Sequence, residues 1–209
     1  MAPQYDPERH HRRSIRLPGY DYRQAGAYFI TIVAQGRECL FGQVVDAAMR
    51  LNDAGRMVER WWAELGNKYP TVIPDLCVVM PNHFHGIVVI THTPAASVGA
   101  DLRVCPDLPD GLGAHTGEGA HIGAPLRQPA GPAPDIPKTV QWFKTMTTNE
   151  YIRGVKTLGW MSFPGRLWQR NYYEQVIRDD ASLNRIRQYI ADNPAQWAND
   201  DENPEKGRR

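Results

Sequence analysis

The sequence lacks any apolar segment long enough to span a membrane, because its longest apolar runs have only the length of a β-strand. Its first residues are polar and include no apolar stretch of the kind that directs secretion. These absences argue against an integral membrane protein and against a secreted one. We therefore expect a soluble cytoplasmic protein without a membrane partner.

Cysteine is scarce, and Cys39, Cys77 and Cys105 are the only three in the chain. Their spacing does not match a zinc site, and three thiols cannot all pair with one another. Buried or free thiols in a reducing compartment are the expected state, which agrees with a cytoplasmic location.

Net charge is also small, at +1, but the charges are unevenly distributed. Residues 138–187 carry nine Lys or Arg against four Asp or Glu, and the N-terminal segment ERHHRRSIR is basic as well. Basic surfaces on a nearly neutral protein favour a polyanionic partner that is bound at one site. The alternative is a set of solvated arginines.

Large apolar residues are rare in one internal segment, residues 94–136, which contains seven prolines and seven glycines. Such a composition cannot bury enough apolar surface to fold by itself, and a loop of this length is unusual inside a compact domain. We expect a single domain over residues 1–209 that carries a disordered, low-complexity insertion.

Hydrophobic periodicity predicts alternating strands and helices in the rest of the chain. The predicted strands lie at 26–35, 71–80, 83–92 and, more briefly, within 166–178. The predicted helices cover 47–70, 137–154 and 179–197, and Pro194 is expected to end the last one near Asn193. This order indicates an α+β sandwich with the helices on one face of a mainly antiparallel sheet.

The segment VVMPNHFHGIVVI, residues 78–90, places two histidines inside an apolar strand. Alternation along a strand puts His83 and His85 on one face and Phe84 on the other, and Gly86 is expected to leave room above the strand. Two such imidazoles can hold one divalent ion or bind a phosphate. The alternative is a sheet face with two hydrogen-bonded structural histidines.

The closing helix offers a second set of reactive groups. Leu183, Ile186 and Ile190 form its apolar stripe, and Tyr189 and Asn193 lie four residues apart at the edge of that stripe. This position suits a half-buried tyrosine with a free hydroxyl beside a carboxamide that can serve as a third metal ligand. The alternative is a core-edge aromatic residue followed by a helix-terminal asparagine.

A histidine pair, a helical tyrosine and an oxygen donor together suit strand transfer at a phosphodiester. A divalent ion can polarise the phosphate, while the tyrosine hydroxyl attacks phosphorus and forms a phosphotyrosine. Because this covalent intermediate keeps the energy of the broken bond, the strand can be rejoined without ATP.

These segments resemble a known family. PNHFHGIVVI resembles the histidine–hydrophobe–histidine motif of the HUH superfamily, and YIADNP resembles the tyrosine helix of its single-tyrosine transposases. RLPGYDYRQAGAYFITI, LWQRNYYEQVIRD and SLNRIRQYIADNPAQW are similar to the REP-associated tyrosine transposases. The resemblance covers about residues 12–93 and 137–198.

The resemblance implies a ferredoxin-like, HUH-type nuclease domain that binds single-stranded DNA hairpins, such as repetitive extragenic palindromes, and cuts them with Mg²⁺ or Mn²⁺. It implies a 5′-phosphotyrosine on Tyr189, with His83, His85 and Asn193 holding the metal ion. Members of the superfamily act as monomers or as homodimers that exchange their tyrosine helices, so both states stay open. The insertion departs from the family pattern, and we expect it to be neutral.

Arg166, Trp168, Gln169 and Arg170 form a basic patch with an aromatic residue, which can pair with phosphates and stack on a base. The alternative is a packed tryptophan between solvated arginines.

The basic N-terminal segment is a second candidate for DNA binding, because Arg12, Arg13 and Arg16 can contact backbone phosphates. Disorder of this segment is the alternative.

Tyr172 and Tyr173 compete with Tyr189 for the role of nucleophile. We favour Tyr189, since neither competitor has an amide one helical turn away.

Two other functions remain open. A metal-dependent phosphodiesterase would use water as its nucleophile and would not need Tyr189. A nucleic-acid-binding protein with relic catalytic residues would bind hairpins without cutting them.

Overall fold

The computed structural model describes residues 20–92 and 134–206. Within these ranges the strands are β1 (Gly26–Val33), β2 (Gly42–Val45), β3 (Ala48–Leu51), β4 (Val72–Val79), β5 (His83–Ile90) and β6 (Tyr173–Ile177). The helices are α1 (Asp53–Ala63), α2 (Leu65–Lys68), α3 (Ile136–Thr157) and α4 (Asp180–Gln196).

Four of the strands form one antiparallel sheet in the order β4-β5-β1-β6. The connection from β1 to β4 contains α1, and the connection from β5 to β6 contains α3. This β-α-β-β-α-β arrangement is the ferredoxin-like one, and the predicted α+β class with a mainly antiparallel sheet is confirmed. β2 and β3 form a separate hairpin.

The main core lies between the sheet and the helices α1 and α3. Alternate residues of β1, namely Tyr28, Ile30 and Ile32, are completely buried on this side. They share one apolar cluster with Val58 of α1 and Phe143 of α3. Every second side chain of β1 therefore packs against the apolar faces of these two helices.

A second apolar cluster covers the opposite face of the sheet, where Ile87 of β5 and Ile177 of β6 pack against Ile190 of α4. The prediction of helices on one face thus holds for α1 and α3 but not for α4. The reason is that β5 is apolar on both faces, so its second face also has to be covered. The apolar stripe of α4, including Leu183 and Ile186, provides that cover.

An ion pair between a partly exposed arginine and a buried carboxylate holds α4 on this face. Nε of Arg187 donates to Oδ2 of Asp75 over 3.0 Å, and Asp75 on β4 is only 5% exposed. Asp75 also accepts from the backbone N–H of Leu76. A charge buried this deeply is stable only when it is paired, so the pair fixes the position of α4 relative to β4.

Two predicted helix boundaries are wrong. The segment predicted to start a helix at residue 47 forms β3, and Asn52 begins α1 by accepting from the N–H of Gly55 over 2.9 Å. Asp46 and Ala47 form the turn before β3 with positive φ angles of 52° and 60°. At the other end, Pro194 lies inside α4, which continues to Gln196. Pro194 removes one N–H from the hydrogen bonds of the last turn, but this loss does not end the helix at Asn193.

Residues 1–19, 93–133 and 207–209 lie outside the described part of the chain. Most of the predicted insertion at 94–136 falls there, but its last residues belong to α3. Oδ1 of Asp135 accepts from the N–H of Lys138 over 2.8 Å, and Ile136 is completely buried.

The cysteines differ from the expectation that all three are buried or free thiols. Cys39 is free and exposed, but Cys77 is disulfide-bonded. Three cysteines allow one pair and leave one thiol over, so the odd count did not exclude a bond at Cys77. No helix among the described residues has the length and apolar character needed to cross a membrane.

Gly86 allows the close packing of β5 against α1, and it does not open space beside the histidines. A Cβ at this position would lie 2.6 Å from Cζ2 of Trp62 and 2.8 Å from the ring of Phe84. We expect Gly86→Ala to lower the free energy of unfolding by about 1–3 kcal/mol, as measured by urea denaturation. The control is Gly66→Ala, whose Cβ would have its nearest neighbour at 3.6 Å. Equal stability of the two variants would contradict this packing.

Candidate active site

Two imidazoles lie side by side on the face of β5 that α4 covers. His83 is completely buried and His85 is 5% exposed, with 4.7 Å between their ring centroids. Phe84 points to the opposite face and packs against Trp62 in the main core. The apolar strand therefore carries two polar groups on one face while its other face stays in the core.

Asn82 orients the ring of His83. Nδ2 of Asn82 donates to the carbonyl of Arg37 over 3.0 Å and to that of Glu202 over 2.7 Å. Both amide hydrogens are used in this way, so Oδ1 of Asn82 is the atom that faces Nδ1 of His83. It accepts a hydrogen bond from the Nδ1–H over 2.9 Å. The neutral imidazole then carries its free lone pair on Nε2, the atom that has no hydrogen-bond partner among the described residues.

His85 is oriented by residues of β1. Its Nδ1 lies 2.8 Å from the hydroxyl of Thr31, the residue directly opposite it in the strand register. Phe29 stacks on the ring with a centroid distance of 5.4 Å. With Nδ1 bonded to Thr31, Nε2 of His85 is the nitrogen that faces α4.

Helix α4 brings Tyr189 to this nitrogen. The Tyr189 hydroxyl lies 3.5 Å from Nε2 of His85, and its ring meets Phe29 edge-on at 6.0 Å. The side chain is 41% exposed, so the phenol is held by the sheet on one side and open to solvent on the other. A nucleophile for a large substrate needs this combination of fixed position and access.

Asn193 lies one turn further along α4 and is only 2% exposed. Burial is the larger influence on the pKa of both His83 and Tyr189, but the carboxamide of Asn193 is close enough to act on each of them. Oδ1 of Asn193 has no hydrogen-bond partner within the described ranges. A buried amide oxygen without a partner is costly. A ligand role for this oxygen, beside the imidazoles, would account for that cost.

Asp200 completes the group and was not found from the sequence. One oxygen of its carboxylate and one nitrogen of each imidazole lie within 4.8 Å of one another, and its Oδ2 is 3.8 Å from Nε2 of His83. The chain reaches this point through the short 3₁₀ helix Trp197–Asn199 that follows α4. In the sequence Asp200 belongs to the acidic run NDDEN, which is typical of a solvated terminus.

Burial sets the protonation of these groups. It lowers the pKa of His83 to about 4 even though Asp200 acts in the opposite direction. Burial and the neighbouring His83 together lower the pKa of His85 well below its usual value. Burial also raises the pKa of Tyr189, and Asp200 adds to this effect. At neutral pH the site therefore contains two neutral imidazoles and a protonated phenol.

The arrangement fits a divalent metal ion. Nε2 of His83 and Oδ1 of Asn193 are buried and have no hydrogen-bond partner in residues 20–92 and 134–206, and Nε2 of His85 has a long contact with Tyr189. Asp200 adds the one carboxylate of the group. Two imidazole nitrogens with oxygen donors form a recognised ligand set for divalent ions, and the hydrogen bonds from Asn82 and Thr31 are the outer contacts that such ligands need.

Removing the side chain of Asn82 tests this outer contact. Asn82→Ala leaves Nδ1 of His83 and two backbone carbonyls without a partner, so we expect the free energy of unfolding to fall by about 2–4 kcal/mol. Affinity for Mn²⁺, measured by isothermal titration calorimetry, should fall about 10–100-fold. Asn67→Ala, which removes an exposed amide bonded to Glu64, is the control. Wild-type Mn²⁺ affinity in a folded Asn82→Ala protein would refute the orienting role.

The residues predicted to bind DNA differ from one another in their exposure. Arg166 and Arg170 are exposed and Gln169 is half-buried, but Trp168 is 4% exposed. Trp168 donates from Nε1 to the hydroxyl of Thr147 and stacks on Phe41. Its prediction as a base-stacking residue is therefore wrong, because both its ring and its N–H are used in the core. Arg12, Arg13 and Arg16 lie outside the described residues.

The two competing tyrosines also lie apart from the imidazoles. Tyr172 has Lys144 over its ring at 5.3 Å, which places it beside α3. Tyr173 is 61% exposed on β6, opposite Thr31, so one strand separates it from His85. Of the three tyrosines considered from the sequence, Tyr189 is the one whose hydroxyl reaches an imidazole.

Fold and site together define a ferredoxin-like α+β domain whose sheet carries two buried imidazoles beneath a helical phenol. No family model matches the sequence. The chain is 35% identical over 201 residues to an uncharacterized protein of Haemophilus influenzae. The aligned residues make up 96% of this chain and 97% of that protein. The chain belongs to the same family as this Haemophilus protein.

Two solved structures are similar in fold. A REP-associated tyrosine transposase bound to a REP hairpin matches with a TM-score of 0.47 and 16% identity, covering 83% of this chain and 68% of that one. A protein from Deinococcus radiodurans R1, described as a candidate transposase, matches with a TM-score of 0.40 and 14% identity, covering 84% and 95%. Neither match is close enough to show a shared activity.

Proposed function

We propose that the protein is a DNA strand transferase of the tyrosine transposase type, which cuts and rejoins single-stranded DNA next to a hairpin. The observation that carries this proposal is the 3.5 Å distance between the Tyr189 hydroxyl and Nε2 of His85 within one chain. The resemblance of PNHFHGIVVI and YIADNP to the HUH transposase motifs points to the same chemistry.

In the proposed reaction the oxygen of Tyr189 attacks the phosphorus of a DNA phosphodiester and the phenol loses its proton to solvent. The bond from phosphorus to the 3′ oxygen breaks, and that oxygen takes up a proton to leave a 3′ hydroxyl. The products are a 5′-phosphotyrosine and a free 3′ end. Attack of a 3′ hydroxyl on the phosphotyrosine reverses the step and joins the strands without another source of energy.

The proposal includes a divalent ion, Mg²⁺ or Mn²⁺, bound by His83 and His85 with oxygen from Asn193 and Asp200. When bound, such an ion acts as a Lewis acid on the phosphate and stabilises charge on the leaving oxygen. Asn82 and Thr31 hold the two histidines in place before the ion arrives. The protein also keeps the imidazoles neutral, which is the form that binds metals.

A single chain is sufficient for this chemistry. Tyr189 on α4 and the imidazoles on β5 belong to the same molecule, and the Arg187–Asp75 pair holds α4 against its own sheet. The proposal therefore does not require a homodimer that exchanges helices, and it predicts that a monomer cuts DNA.

The test uses a labelled single-stranded DNA that contains a hairpin, incubated with the protein and Mn²⁺. We expect a protein–DNA adduct that survives denaturation, and mass spectrometry should locate it on Tyr189. The adduct should be absent when EDTA replaces Mn²⁺. An adduct on Tyr172 or Tyr173 would refute the assignment of the nucleophile, and cleavage without any adduct would refute the covalent mechanism.

A further inference from the structure

A groove of about 550 Å³ lies between α3 and the segment 165–172. Its walls carry polar side chains from α3 and basic side chains from the segment. The residues that contribute to the argument are Gln141, Lys144, Asn149, Arg166, Gln169 and Arg170. None of these takes part in the reaction proposed for Tyr189.

Lys144 gives the groove a fixed wall. Its Nζ donates to three successive backbone carbonyls, those of Gln169 at 2.9 Å, Arg170 at 3.3 Å and Asn171 at 3.1 Å. Burial lowers the pKa of Lys144 to about 8, which shows how far this amine is removed from solvent. A segment without regular secondary structure is thereby held in one conformation against α3.

The charge of the groove is positive. Arg166 and Arg170 are exposed, and no acidic residue lines the groove in the part of the chain that the structure describes. Neither guanidinium makes an ion pair within residues 20–92 and 134–206. Two guanidinium groups without acidic partners are suited to phosphate oxygens, which they can bind through paired N–H groups.

The α3 side of the groove carries side-chain amides, which suit a base rather than a phosphate. Gln141 and Asn149 both line the groove and lie eight residues apart on α3, which corresponds to about 12 Å along the helix axis. Each carries both a donor and an acceptor, which is what the edge of an unpaired base requires. Phosphate-binding and base-binding groups thus occur together in one concave surface.

The groove is connected to the active site through β1. The N–H of Gln169 donates to the carbonyl of Val33 over 2.9 Å, and Val33 pairs with His83 in the sheet. Two strand spacings separate the backbones of Gln169 and His83, which corresponds to about 10 Å. The groove lies on the α3 side of the sheet and Tyr189 on the α4 side, so a DNA strand that reaches both has to pass around the sheet.

We infer that this groove binds unpaired nucleotides of the strand that Tyr189 cuts, in the part of the strand that flanks the hairpin. Arg166 and Arg170 contact the phosphates of these nucleotides, and Gln141 and Asn149 contact two different bases. This inference rests on the proposed function, and it gives that function a source of selectivity for the DNA that flanks the hairpin.

The test is fluorescence anisotropy in EDTA, with a fluorescein-labelled hairpin that carries an unpaired oligothymidine flank and with the same hairpin without a flank. Arg166→Ala/Arg170→Ala should weaken binding of the flanked hairpin roughly tenfold and should reduce the slope of log affinity against log salt by about 1.4. Binding of the hairpin without a flank should change little. Both arginines are exposed, so the double variant should fold.

Two further variants separate specific from general effects. Lys156→Ala removes a positive charge from the exposed side of the same helix, outside the groove, and should leave both affinities unchanged. Gln141→Ala/Asn149→Ala should keep the salt slope but reduce the difference in affinity between oligothymidine and oligoadenine flanks.

An unchanged affinity of the arginine variant for the flanked hairpin would overturn the inference. An equal loss in Lys156→Ala, or an equal loss for the hairpin without a flank, would overturn it too, because either result indicates a general charge effect. These outcomes are independent of the adduct assay. Failure of the proposed function instead appears as a missing Tyr189 adduct in the wild-type protein with Mn²⁺, whatever the groove variants show.

Discussion

Tyr189→Phe is expected to abolish the protein–DNA adduct and to lower the rate of strand cleavage roughly 10³-fold or more. Phenylalanine keeps the ring that packs edge-on against Phe29, so the fold and the position of α4 should be preserved. Only the hydroxyl that lies 3.5 Å from His85 is removed. The measurement is single-turnover cleavage of a labelled hairpin substrate with Mn²⁺, followed on a denaturing gel.

Tyr173→Phe is the matched control, since this tyrosine is more exposed than Tyr189 and lies one strand away from His85. It should cleave at the wild-type rate. If Tyr189→Phe retained most of the activity, water would be the nucleophile and the protein would be a phosphodiesterase. If cleavage were lost in Tyr173→Phe instead, β6 rather than α4 would provide the nucleophile.

His83→Ala is expected to lower the affinity for Mn²⁺ at least about 100-fold and to remove detectable cleavage, while hairpin binding in EDTA stays close to that of the wild type. Nε2 of His83 is the buried nitrogen that faces Asp200, so the substitution removes one of the two imidazole ligands. Calorimetry with Mn²⁺ and anisotropy with DNA measure the two properties separately. His83→Gln, which keeps more of the buried volume, serves as a second variant if the alanine protein is unstable.

His92→Ala provides the control, because this histidine is exposed and lies beyond the end of β5. It should bind Mn²⁺ and cleave DNA like the wild type. Cleavage that survives in a folded His83→Ala protein would exclude the proposed metal site. A wild-type protein that binds hairpins but never cuts them would instead be a binding protein with relic catalytic residues.

The four strands of the main sheet could be predicted because strand alternation is a local property of the sequence, whereas their order in the sheet is not local. GAYFITIV, for example, buries every second residue, and the structure places β1 there. β3 was missed for an equally local reason. Its turn uses Asp46 and Ala47 at positive φ and lacks the Asn-Gly or Asp-Gly signal of such turns, while Met49 also fits a helical pattern.

The candidate site was only partly accessible from the sequence. Spacing alone put His83 and His85 on one face, and Tyr189 and Asn193 on one edge of a helix. Asp200 could not be found in this way, since its place depends on where the chain turns after α4. Trp168 was misinterpreted because a tryptophan among arginines has the same sequence pattern whether its ring is buried or exposed.

The carboxamide of Asn82 joins three parts of the chain that are far apart in sequence, namely Arg37, His83 and Glu202. Truncation before residue 200 would remove a carboxylate from the cluster and would also free one amide hydrogen of Asn82. The imidazole of His83 would then lose the constraint on which nitrogen carries its proton. Residues 200–202 thus support the candidate site as directly as the strand that bears the histidines.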